Sequence, residues 1–171
     1  MNTRTNPIDF EIRAATVADI PAIVRVTNLA YGVEAFCIQG QRIDAGEVQA
    51  RMGSGGFLVI DDALDAATLR ASVYTSLIGG RGYLGILSVA PGHQGRGLAR
   101  ALIAAVEERC RRAGCDLLDI SVVNLREELF PFYARLGFVA TSILPFPSPD
   151  RCLQPLHLVQ MTKALGPQEE P

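Results

Sequence analysis

Apolar positions along this chain recur with two different periods, and the change of period marks out its elements. A loosely alternating stretch at 8–14 predicts an early or edge strand. In 16–30, "TVADIPAIVRVTNLA", Ile20, Ile23, Val24, Thr27 and Leu29 fall at helical spacing behind a Thr N-cap, which predicts a helix. "YGVEAFCIQGQ" reads as loop with a broken helical turn, and "DAGEVQARM" as a short helix closed by "GSGG". "FLVIDD" and "TLRASVYTSL" then read as strands, with "GGRG" as a hairpin turn. "YLGILSVA" is nearly all apolar, as a central strand covered on both faces should be. Gly85 inside it predicts a bulge or a close approach by another backbone or a ligand.

The strongest periodicity lies between about Gly95 and Ala113. Leu98, Leu102, Val106 and Cys110 repeat every four residues, flanked by Ala99 and Ile103. Glu107–Arg111 and Glu108–Arg112 are i,i+4 pairs in the favoured orientation, and Gly114 supplies the stop. "DLLDISVVN" predicts a strand, "PFYARL" a short helix ending before Gly137, and "FVATSIL" another strand. A Pro-rich loop, "PFPSPDRCLQP", leads to a last strand, "LHLVQMTKAL". Strands and helices alternate after residue 57, but hairpin connections appear as well. The fold expected is therefore α/β, with a mixed, largely antiparallel central sheet flanked by helices.

At 171 residues the chain predicts one domain, with a core over about 8–164 and a disordered tail at 165–171. Hydrophobic residues make up 49% and charged residues 20%, the balance of a soluble protein. No apolar run approaches the roughly 20 residues of a membrane span. "MNTRTNPIDF" carries no apolar signal segment, so a cytoplasmic protein without membrane partners is expected. The four cysteines, at 37, 110, 115 and 152, fit neither a zinc pattern nor a C-x-x-C pair, so no metal is expected.

Charge sharpens the picture. The formal net charge of −2 argues against nucleic-acid binding, yet no acidic residue lies between Asp65 and Glu107. Arg70, Arg81, Arg96 and Arg100 fall in that gap, which suggests a small anionic ligand. Within it, "VAPGHQGRGLARAL" runs from a strand through a glycine-rich turn into the long helix. A helix N-terminus offers unpaired N–H groups and the positive end of a dipole, and glycines let the backbone approach a phosphate. The alternative is a turn needed only for tight strand–helix packing. A Walker A loop requires a lysine that is absent here. A dinucleotide fingerprint starting at Gly95 and Gly97 meets Arg100 at its last position.

What the turn does match is Q-x-x-G-x-A, as Gln94, Gly97 and Ala99. Together with "NLREELFPFYARLGFVAT" downstream and the order of elements over about 8–164, it resembles the GNAT superfamily of N-acetyltransferases. The resemblance implies an acyl-CoA N-acyltransferase fold with splayed central strands and acetyl-coenzyme A as cosubstrate. It implies that Gln94, Gly95, Arg96, Gly97, Leu98, Ala99 and Arg100 hold the pyrophosphate. It further implies that the pantetheine arm pairs with the backbone of Leu87 and Val89, and that the Val89 N–H polarises the thioester carbonyl. Asn124 is expected to contact pantetheine or an ordered water, or else to serve as a strand-end turn residue.

Tyr133 is the implied general acid for the departing thiolate, against a packing role beside Phe132. From model values that transfer is uphill by about 2 kcal/mol. The general base is not legible: relatives often carry an acid on the strand before the turn, and "YLGILSVA" has none. Asp119, Ser121 or Glu34 could act through water, although each also has a structural reading. Without a strong base the acceptor amine should be weakly basic, since at pH 7 a lysine-type amine is about 0.04% neutral and an α-amine about 14%. His93 could touch phosphate or sit solvated, and His157 could face the acceptor or the core. Glu34, Phe36, Arg42 and the loop 145–155 are the expected acceptor contacts.

The expected partner is a small-molecule or peptide amine, with a homodimer left open. A non-catalytic acyl-coenzyme A sensor is the competing reading, and a nucleotide-binding module is disfavoured by the failed motifs.

Overall fold

Seven strands form one sheet: β1 (Ile12–Ala14), β2 (Gly56–Asp61), β3 (Leu69–Ile78), β4 (Arg81–Val89), β5 (Leu117–Val123), β6 (Val139–Pro145) and β7 (His157–Ala164). Their order is β1-β2-β3-β4-β5-β7-β6, antiparallel throughout except for the β4–β5 pair. The helices are α1 (Ile20–Ala30), α2 (Ala45–Ser54), α3 (Leu98–Arg112) and α4 (Leu129–Arg135). The computed structural model describes residues 10–166.

Strand alternation sorts the core into two layers. Leu58, Ile60, Ala71, Val73 and Leu84 pack with α3 and with Tyr133 of α4 on one face. Phe57, Val59, Tyr74 and Ile86 pack with α1 and α2 on the other. The Leu98–Leu102–Val106–Cys110 stripe predicted from sequence is the buried face of α3. Both predicted glutamate–arginine pairs on that helix form, and Glu107 also takes Lys163 Nζ at 2.7 Å, which ties α3 to β7.

Several boundaries differ from the sequence reading. The first predicted helix begins as a 3-10 turn at Val17–Asp19, held by Thr16 N–H donating to the Asp19 carboxylate at 2.8 Å, and α1 proper starts at Ile20. Leu29 is 54% exposed, whereas Val26, not singled out beforehand, is buried. The long helix starts at Leu98 because Gly95 and Gly97 take left-handed backbone angles, φ 74° and 81°. Leu165, expected in the tail, is buried and donates its N–H to Asp116 O. Residues 8 and 9 of the predicted first strand and 167–171 of the predicted tail lie outside the described residues.

A bulge in β4 positions the site. Two steps along β3, from Ser72 to Tyr74, face three along β4, from Gly85 to Ser88, so β4 carries one extra residue. The predicted irregularity thus falls just after Gly85, at Ile86, which adopts φ 49°. For a β-branched residue such a backbone is strained by about 1–2 kcal/mol.

Candidate active site

β4 and β5 pair through three rungs, Arg81–Leu117, Gly82–Leu118 and Tyr83–Asp119, and no further rung follows among the described residues. A two-pronged Arg81–Asp119 ion pair, 2.8 and 2.7 Å, closes that end. Beyond it the strands separate, and the gap is where the bulge re-aims β4. Ala90 N–H bonds Arg70 O at 2.9 Å on the β3 side. Successive residues turn their ladder groups to opposite sides, so Val89 faces its N–H and C=O toward the gap. Gln94 Nε2 donates to that carbonyl at 3.4 Å, fastening the turn to the strand end.

At the mouth of the gap, the first amides of α3 emerge from Gly97 with no side chain capping them and no acid in the first turn. A Cβ built on Gly95 or Gly97 would meet nothing within 4 Å. These glycines are therefore needed for backbone angle, and the space over them is open. Uncapped amides, a positive dipole end, Arg100 and open space suit a diphosphate.

A cavity of about 630 Å³ runs from this cradle through the gap. Gln94, Gly95, Gly97, Leu98, Ala99 and Arg100 line one end, and Leu87 and Val89 one wall. Tyr133 lies on the α4 side, 7% exposed, packed edge-on against Phe132 and Phe138 at ring separations of 5.1 and 5.7 Å. Burial foremost, with help from Tyr31, pushes its hydroxyl far above the usual phenol range, so it stays protonated.

The other end lies beneath the loop between α1 and α2. Glu34, 5% exposed, accepts from Arg126 Nη1 at 3.0 Å, while Arg126 Nε donates to Glu128 at 2.6 Å. Burial raises the Glu34 carboxyl, opposed by the charges of Arg42 and Arg126. Arg42 stacks on the Tyr31 ring at 5.0 Å and also lines the cavity. Burial pushes the Tyr31 hydroxyl up to about 12. Asn28 holds this loop, accepting from the N–H groups of Arg42 and Ile43 and donating to Ile43 O, at 2.8–3.1 Å. Arg51, Tyr83 and Ser121 line both this cavity and an adjoining one of about 540 Å³.

A family model for acetyltransferases of the GNAT family matches residues 35–138, more than half of the chain. The chain belongs to the GNAT acetyltransferase family. Solved structures agree on the fold. The ribosomal-protein-S18-alanine N-acetyltransferase of Escherichia coli aligns with TM-score 0.75 at 18% identity, covering 94% of this chain and 97% of that one. The PaiA N-acetyltransferase of Thermoplasma acidophilum, solved with coenzyme A, gives 0.73 at 16%, covering 91% and 99%. The yncA protein of Salmonella typhimurium, solved with acetyl-CoA, gives 0.69 at 22%, covering 95% and 98%. No curated protein sequence matches the chain.

Within this GNAT chain, the cavity gathers most of the residues singled out from sequence, but not all. Arg96 is exposed and does not line it. Phe36 is 54% exposed and does not line it. Asn124 continues the β5–β7 ladder instead: its N–H donates to His157 O and its Oδ1 accepts from His157 N–H, at 3.0 and 2.9 Å. That exchange engages the main chain of His157. Asp119 is taken up by Arg81 and by the Thr162 hydroxyl at 2.6 Å. His93 lines the cavity with Nε2 at 3.3 Å from Asp62. Of the loop 145–155, Phe146 and Pro147 reach the cavity.

Tyr31, Arg51, Tyr83 and Arg126 were not legible as site residues. Arg126 stands two residues after Asn124 in the quoted "NLREEL", so strand-end position was the one available signal.

Proposed function

We propose that the protein is an acetyl-CoA-dependent N-acetyltransferase that acetylates a primary amine by direct attack on the thioester. The observation that carries this is one continuous cavity joining three things: an uncapped amide cradle, a strand edge that β5 leaves unpaired, and a buried phenol. Membership of the GNAT family and neighbours solved with coenzyme A or acetyl-CoA support it.

The cradle from Gln94 to Arg100 would hold the diphosphate, and Leu87 and Val89 the pantetheine arm through main-chain groups. The thioester is then presented at the gap. The Val89 N–H donates to its carbonyl oxygen, a bond that strengthens as negative charge develops there. Glu34 takes a proton from the acceptor's ammonium group, the role that β4 leaves unfilled. The freed nitrogen lone pair forms the C–N bond, the C–S bond breaks with its electrons on sulfur, Tyr133 gives its hydroxyl proton to the thiolate, and the acylated nitrogen releases its second proton to water, leaving a neutral amide. Glu34 and Tyr133 recover their starting states by proton exchange with water. The burial that raises Tyr133 raises a thiol in the same site too, so part of its cost to proton transfer cancels. Holding a protonated donor in place matters more than the remaining gap.

The competing reading, an acyl-coenzyme A sensor, drew support from the missing acid on β4. Glu34 in the cavity offers an acid in its place, which supports the enzyme reading. Tyr133→Phe tests the enzyme reading: thiol release should fall at least tenfold, while coenzyme A affinity measured by calorimetry stays within twofold. An unchanged rate removes Tyr133 from the mechanism, and coenzyme A binding without thiol release from the wild-type protein across acceptors favours the sensor.

A further inference from the structure

We propose that the acceptor is an α-amino acid with an apolar side chain, its carboxylate held at Arg42 and its amine at Glu34. This rests on the acetyltransferase reading above. Four arginines line the cavity, Arg42, Arg51, Arg100 and Arg126, against one carboxylate, Glu34. Arg100 sits at the start of α3, at the diphosphate end. Arg126 is matched by Glu34 and Glu128. Arg42 and Arg51 have no carboxylate within ion-pair distance among the described residues, and they belong to the loop and helix on the opposite sheet face from α3. A diphosphate bound at α3 leaves these two charges uncompensated, so the cationic surplus falls on the acceptor side.

Arg42 is also built to receive a ligand. Its backbone N–H is pinned by Asn28, and its guanidinium lies over the Tyr31 ring. With one face covered, the edge remains for hydrogen bonding, and Nε there is buried without a partner. A carboxylate meets a guanidinium through parallel N–H···O bonds, here at the terminal Nη groups, since Nε itself is shielded. Arg42 and Glu34 line the same cavity, so the two opposite charges face one ligand. That pairing complements an ammonium and a carboxylate on one carbon and repels a polyamine. Around them Ile38, Val123, Phe146 and Leu158 form an apolar lining, which suits an apolar side chain.

The test compares thiol release from acetyl-CoA with leucine, leucinamide, isoamylamine, spermidine and a Leu-initiated peptide amide. Leucine should show kcat/KM at least tenfold above each of the others. The comparison with leucinamide is demanding, because its amine is less basic and more often neutral. Arg42→Gln should lower kcat/KM for leucine at least tenfold and leave leucinamide within threefold. Arg42→Lys should restore part of the loss. A merely structural role for Arg42 would lower both acceptors alike, and that result overturns the inference. So does turnover of leucinamide, spermidine or the peptide matching that of leucine, which leaves the acetyltransferase reading standing. Thiol release with none of the panel, in a protein that binds coenzyme A, overturns both.

Discussion

Gly82 of β4 lies against Cys110 of α3, in the short stretch that still pairs β4 with β5. A Cβ added there would lie 2.3 Å from Cys110 Sγ, 3.2 Å from Leu118 Cδ1 and 3.3 Å from Cys110 Cβ. Comfortable contacts between such atoms are about 3.5–4.0 Å, so the sulfur must retreat by more than 1 Å. It has little room, since Cys110 and Leu118 are both 0% exposed. Overpacking of this kind costs about 1–3 kcal/mol, and the entropy lost by replacing glycine returns about 0.4–1 kcal/mol. The net expectation for Gly82→Ala is a loss of about 1–2 kcal/mol, or about 2–8 °C in Tm for a domain of this size. Cys110→Ala, which deletes the sulfur, should by itself cost about 1 kcal/mol. In the double variant the new methyl enters the vacated volume, so its total loss should fall short of the sum of the two single losses by about 1–2 kcal/mol. Urea unfolding of the four proteins measures this coupling. Additive losses, or a Gly82→Ala protein as stable as wild type, would show that the close approach does not hold the helix to the sheet.

Two further perturbations address charge. Glu34→Gln should lower kcat/KM at neutral pH by about 100-fold or more and remove the rising acid limb of the pH–rate profile, with coenzyme A affinity within twofold; a retained limb takes Glu34 out of the proton path. Because burial raises Glu34, ionising it costs the folded state stability as pH rises through the carboxylate range, so the variant should lose that component of the pH dependence. Arg13 holds Asp19 and Asp61 below their ordinary value of 3.8 through hydrogen bonds of 2.7–2.9 Å. Depressed carboxylates stabilise the fold above pH 3.8 and lose that effect as pH falls through their lowered values. The stability gap between wild type and Arg13→Leu should therefore be steady from pH 7 to 5 and shrink toward pH 2, as read from urea midpoints; a constant gap at pH 2 refutes the assignment.

Local pattern determined much of this molecule. The four-residue repeat from Leu98 to Cys110 has a single low-energy arrangement, one helix face against a sheet, and it formed as the period required. The glycine turn was legible for a similar reason, since left-handed angles at Gly95 and Gly97 depend on the residue itself. The apolar run of β4 announced a central strand, although Gly85 located its bulge one residue early.

What remained hidden depends on partners distant in sequence. Asn124 ends β5 as expected, but its carboxamide serves whichever strand lies alongside, and that strand is β7. Asp119 carried both a water-mediated base reading and a structural one, and the parallel pairing sets Arg81 against it. Glu34 and Arg126 stand 92 residues apart, and no spacing rule links them. Phe36 and Arg42 are six positions apart in one loop, yet the anchoring of that loop by Asn28 and the stacking on Tyr31 bring Arg42 to the cavity while Phe36 stays in solvent. Secondary structure follows from steric and hydrophobic preferences over a few turns of chain. The charge of the cavity arises from contacts between segments that meet only after the sheet has assembled.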